Sequence, residues 1–151
     1  MSNSNRGFTL LISLILCSVV LAIGLSLIDI TYKQTILAST AKQSQSAFYG
    51  ADGLMECMLY YDQQRNAFDF TTPLTSISCA GKTVPITVVS QTATLTTLSL
   101  SLPCLTAATG VSGGGSVYKG SDGSTKFYAR GYSSCNASDP RRIERGLRAS
   151  Y

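Results

Sequence analysis

Histidine and tryptophan are absent from this 151-residue chain. Without an imidazole, the usual proton shuttle near neutral pH and the commonest neutral metal ligand are both missing, so most enzyme readings lose their first residue. Charge is scarce as well, at 13% of residues, and none of it falls in residues 8–28. Proline is absent from residues 29–62, where two glycines, Gly50 and Gly53, are the only other helix-weakening residues. A long uninterrupted helix is therefore allowed through this half of the chain.

What is present begins with that uncharged run. At about 1.5 Å rise per residue, residues 8–28 span roughly 30 Å, the thickness of a bilayer's hydrocarbon core. The remaining length suits one small domain with a modest core. The expected layout is one membrane segment and one globular head. Net charge is +4, and four basic residues (Arg141, Arg142, Arg145 and Arg148) crowd near the end of the chain. Of the five cysteines, Cys17 lies in the apolar run, which leaves Cys57, Cys79, Cys104 and Cys135 in the polar part. An even number outside the membrane predicts two disulfides in an exported head, with three possible pairings.

The apolar segment admits three readings. A cleavable secretory signal has a shorter apolar centre, and a cut after Ala22 would leave "IGLSLI" exposed at the new terminus. A lipid-modified cysteine at Cys17 would follow Leu16, not a small residue. The third reading puts the cut before the run, between Gly7 and Phe8. Here the stretch "RG/FTLLIS" resembles the start of the type IV pilin family. The resemblance implies that a prepilin peptidase removes residues 1–7 on the cytoplasmic side and that the new amine of Phe8 is methylated. The apolar run then stays in the mature protein.

The continuation strengthens this likeness. Ala47, Phe48, Ala51, Leu54, Met55, Met58 and Leu59 recur at i, i+3, i+4, i+7 spacing, which predicts an amphipathic helix over residues 29–62 continuous with the membrane segment. Such a helix from Phe8 to Tyr61 would measure roughly 80 Å. "AFYGADGLMECMLYYD" is similar to the corresponding helix of PilX-type minor pilins. One departure is informative. Most major pilins carry a glutamate as the fifth mature residue, where this chain has Ile12. A carboxylate inside hydrocarbon is costly and favours docking to a neighbouring amine, so its absence points to a minor or initiating subunit.

Residues 63–151 change texture. "DQQRNAFDFTTPLTS" is a polar connection, and from Ser76 onward the period is two: Val84, Ile86, Val88, then Leu98, Leu100, Leu102. "VSGGGSVYKGSDGSTKFY" reads as turns and a hairpin around Asp122–Gly123, with Gly113 to Gly115 as a flexible tip. "TKFYARGY" is a further strand. In "RRIERGLRASY", Ile143, Leu147, Ala149 and Tyr151 alternate around Gly146, which favours a strand over a basic helix. The expected fold class is α+β and pilin-like: a long N-terminal transmembrane and stalk helix packed on a small antiparallel β-sheet head. Cys57 falls in register with the apolar stripe and Cys79 is its nearest neighbour along the chain, so Cys57–Cys79 and Cys104–Cys135 are the pairing we favour. Each closes a loop contributing roughly 3 kcal/mol in the chain-entropy model.

Candidate sites are few. Asp52 and Glu56 share one helix face, where a solvated surface explains them better than a calcium site or an acid pair. "SDGS" at residues 121–124 lacks the further carboxylates of a calcium loop and reads as a turn. Asn136-Ala137-Ser138 matches a glycosylation triplet, a pattern common by chance. No nucleophile has a histidine partner, so no catalytic constellation, metal or cofactor is expected. Arg141, Arg142, Arg145 and Arg148 are the residues that could contact nucleic acid. With Glu144 among them and only Tyr151 as a stacking ring, a solvated strand edge is favoured over DNA binding. The expected function is that of a non-catalytic minor pilin of the PilX type. Its partners would be other pilin subunits, the prepilin peptidase and the inner membrane, with the head outside the cytoplasm and later on the cell surface. A type II secretion pseudopilin, or a single-span membrane protein whose head binds a partner or DNA, are the alternatives.

Overall fold

A computed structural model of the chain describes residues 6–104 and 111–151. Helix α1, Arg6–Arg65, is followed by six strands: β1 Ser76–Cys79, β2 Lys82–Gln91, β3 Leu95–Leu102, β4 Ser112–Gly120, β5 Thr125–Tyr132 and β6 Glu144–Ser150. The chain divides into two units, residues 1–40 and 41–151.

In the first unit the described residues are all helix. Its large apolar side chains are exposed throughout, among them Leu10, Leu14, Leu21, Ile28 and Leu37. The hydroxyls scattered among them turn back onto the helix: Ser13 donates to the Leu10 carbonyl, Ser18 to Ile15 and Thr31 to Leu27, each at 2.8 Å. A hydroxyl bonded to its own backbone leaves no unsatisfied donor facing outward. The segment is long and apolar enough to cross a membrane.

In the second unit, residues 41–65 of α1 bury Ala47, Ala51, Leu54, Met55 and Met58 against the sheet. The stripe is narrower than its spacing suggests, since Phe48 remains 42% exposed and Leu59 is half-buried. The helix ends at Arg65, four residues beyond Tyr61, and the next residue, Asn66, has a left-handed φ of 49° and donates its N–H to the Asp62 carbonyl at 3.1 Å. A left-handed residue that closes a helix in this way is commonly glycine or asparagine.

The sheet is an antiparallel meander in chain order, β1-β2-β3-β4-β5-β6. Its inner face is built by alternation: Val84 and Ile86 on β2, Leu98, Leu100 and Leu102 on β3, Val117 on β4, Phe127 and Ala129 on β5. Phe68, from the connection after α1, closes the core with its ring 6.0 Å from that of Phe127. Two expectations are corrected. Val88 is exposed although it pairs with the buried Leu98, and the register between β2 and β3 shifts just beyond it, between Val88 and Ser90. Gly113 to Gly115 form no flexible tip; they lie in β4, paired with Leu102, Ser101 and Leu100 on one side and with Gly131, Arg130 and Ala129 on the other.

The glycines have a packing reason. A Cβ on Gly131 would collide with the Ala47 carbonyl oxygen and the Ala51 nitrogen of the helix backbone. One on Gly115 would stand 2.8 Å from the Met58 sulfur. Glycine on the strands and alanine on the helix let the two backbones approach closely. The segment at residues 141–151 resolves as a strand: β6 pairs with β5 along its whole length, with Leu147 and Ala149 packed against the core.

Candidate functional site

Of the sequence-predicted site residues, Gly7 and Phe8 lie in the first turns of α1, with Phe8 exposed; leader residues 1–5 fall outside the described residues. Cys57 bonds Cys79 and Cys104 bonds Cys135, each with its Cα atoms 5.9 Å apart. The first bridge ties α1 to β1, the edge strand that pairs least with the sheet. The second ties the end of β3 to the connection between β5 and β6. Cys17 remains a free, exposed thiol in the apolar helix.

The carboxylates singled out in the sequence, Asp52, Glu56 and Asp122, behave as turn and surface groups. Among the described residues, no three His, Cys, Asp or Glu side chains gather closely enough to hold a metal ion, and Asp52 and Glu56 form no part of such a group. Asp122 accepts the Ser124 N–H at 2.9 Å beside Gly123, whose φ is +88°. The side-chain and backbone hydrogen bonds from Ser124 hold its carboxyl below the usual range. Asn136 accepts the Ser138 N–H at 3.0 Å in a similar turn. Asp69 caps the connection after α1, accepting from the Thr71 hydroxyl and from the N–H groups of Thr71 and Thr72, which lower its pKa to about 2.

One buried polar group escaped the sequence reading. Asp62, 5% exposed, accepts from the Lys119 ammonium at 3.1 and 3.3 Å and from the Tyr151 hydroxyl. Burial first, then the hydrogen bond and the negative charge of Asp62, push the Tyr151 phenol up to about 12. The signal was present: Asp62 stands four residues after Met58, on the same helical stripe.

The four arginines do not converge. Arg145 faces the helix and donates from Nε to the Ser44 hydroxyl at 2.8 Å. Arg142 lies over the Tyr132 ring, 3.8 Å from its centroid. Arg148 points to the opposite side of β6 from Leu147, and Arg141 is exposed in the preceding turn, its N–H on the Asp139 carboxylate at 2.9 Å. The sequence neighbourhood is thus split among a helix contact, a stacked ring and the outer sheet surface.

The architecture defines a class: an α+β protein with a long apolar N-terminal helix whose second half packs on a six-stranded antiparallel sheet, compatible with a pilin-like fold. No protein-family model, no curated protein and no solved structure matches the chain.

Proposed function

We propose that this chain is a minor, PilX-like type IV pilin subunit with a structural role in pilus assembly or initiation. In this reading the leader, residues 1–7, is removed between Gly7 and Phe8, and Phe8 is methylated. Residues 8–28 hold the subunit in the inner membrane, with the disulfide-bonded head on the oxidising, extracytoplasmic side.

The observation that supports it most is the surface of residues 8–40. Its large apolar side chains are exposed and the hydroxyls of Ser13, Ser18, Thr31, Thr35 and Thr40 are satisfied by its own backbone, so its apolar stretch needs either lipid or other apolar helices around it. One helix then serves the membrane first and a filament later. Exchanging lipid for helix contacts leaves little net cost, and the lack of a carboxylate at Ile12 removes the penalty for waiting in the bilayer. A type II secretion pseudopilin uses the same chemistry and is the second reading.

The test is the intact mass of the membrane-extracted protein. A start at methylated Phe8 is the expected result. An intact Met1 would reduce the protein to a membrane-held head that does not polymerise. Recovery in sheared extracellular filaments, as a minor component, separates the pilus from the secretion apparatus.

A further inference from the structure

The outer face of the sheet, turned away from α1, carries a pattern that the filament reading leaves unused. Along β5 the inward positions Thr125, Phe127, Ala129 and Gly131 are buried, so Lys126, Tyr128, Arg130 and Tyr132 project outward. Cation and ring alternate at successive outward positions, which stand about 6.8 Å apart along the strand. Across the ladder, Tyr128 pairs with Arg148 on β6 and with Ser116 on β4, which brings a third cation beside the same ring. The floor next to this ridge is low, made by Ser99, Gly114 and Ser116.

Two open clefts flank Tyr128. One of about 240 Å³ is walled by Tyr118, Lys126 and Tyr128, and the other, of about 210 Å³, by Tyr128, Arg130 and Tyr132 over Gly114. Both are smaller than the ~300 Å³ at which sites for drug-sized ligands begin, and both are open above, as a repeating ligand requires. The Tyr118 ring meets Tyr128 edge-on at 5.5 Å, which holds Tyr128 in place. Glu144 is the acidic residue on this face of the ladder. It stands 3.6 Å from Arg130 with both side chains at least half exposed, so the pair is weak and Arg130 stays available. Arg142 covers Tyr132 and adds charge in place of a free ring.

We propose that this face binds single-stranded nucleic acid, with Tyr128 and Tyr118 stacking on bases and Lys126, Arg130 and Arg148 following the phosphates. Alternating rings and cations on one sheet face match a chain of planar groups joined by anions. A duplex hides its base faces, and a plain anionic polysaccharide would leave the rings unused. The surface differs from the arginine cluster read in the sequence: of those four, Arg148 lies on it directly and Arg142 reaches it through Tyr132.

The experiment is fluorescence anisotropy of the full-length protein in neutral detergent with a labelled oligo-deoxythymidine. Affinity is expected to fall steeply as salt rises from about 50 to 200 mM. Tyr128→Leu should weaken binding about fivefold or more, whereas Tyr128→Phe should retain it. Lys126→Gln with Arg130→Gln, both at exposed positions, should flatten the salt dependence, and this pair keeps the test decisive if Tyr128→Leu fails to fold by near-ultraviolet circular dichroism. No binding at low salt, or a salt slope unmoved in the double variant, would overturn the proposal. So would equal affinity for a duplex of the same length, or a sulfated polysaccharide bound as tightly and without regard to Tyr128.

Discussion

The Tyr151 hydroxyl donates to the Asp62 carboxylate, joining residues 89 positions apart, and the Lys119 ammonium donates to the same carboxylate, 3.1 Å from Oδ2 and 3.3 Å from Oδ1. Three elements therefore meet at one buried anion: the last turn of α1, strand β4 and the segment after β6. Removing the anion leaves the Lys119 ammonium, 15% exposed, without its ion-pair partner. Asp62→Asn is expected to destabilise the head by roughly 3 kcal/mol, at the low end of a broken buried pair, and Tyr151→Phe by about 1 kcal/mol. Denaturant titration of the detergent-solubilised protein checks both, and equal small losses would show that the pair contributes little.

The same contact sets an alkaline limit. Tyr151 is raised from 10.0 to about 12 in the folded state, so folding favours its protonated form. Its contribution to stability is complete below pH 10 and is lost as pH rises through 12, because the unfolded phenol ionises first. Tyrosinate absorbance should show Tyr151 as a late component. That late component should vanish in Tyr151→Phe.

Gly131 provides a packing test. Its missing Cβ is where the Ala47 carbonyl oxygen stands, and backbone cannot step aside as a flexible side chain can. Gly131→Ala should cost roughly 2 to 3 kcal/mol through forced separation of α1 from β5. Gly114→Ala, on the outer side of β4, meets only the Leu100 carbonyl at 3.8 Å and should be close to neutral. A pair of thermal melts separates them, and similar melting points would deny the close approach.

Both disulfides span short stretches, 22 and 31 residues apart. Replacing Cys57 and Cys79 together by serine should lower stability by about 3 kcal/mol in the chain-entropy model, and replacing Cys104 and Cys135 by a similar amount. The two losses should add, since the bridges share no residues. A reductant should reproduce the double loss in the unaltered protein, with no effect on the quadruple variant.

Much of this protein was legible before any coordinates. An uncharged, proline-free run marks a membrane-length helix by composition alone, and the spacing of Ala47, Ala51, Leu54 and Met58 marks the face it buries. The period-two leucines of β3 mark an inward strand face, and Ile143, Leu147 and Ala149 mark a strand where Gly146 weakens a helix. These features are local, because helix and strand periods are written by neighbours in the chain.

What tertiary structure decided is where side chains are missing or where partners are distant. A glycine run carries no period of its own, so Gly113 to Gly115 read as a tip although they form a paired strand under Leu54 and Met58. Asp62 stands on the buried stripe of α1, but only Lys119 and Tyr151, arriving from elsewhere in the chain, show how its charge is met. The alternation of Lys126, Tyr128, Arg130 and Tyr132 is plain in the sequence, yet only the burial of Phe127 and Ala129 beneath the helix tells which face turns outward. Local periodicity thus determined the elements, and long-range packing decided which of their faces meet each other and which are left free to meet something else.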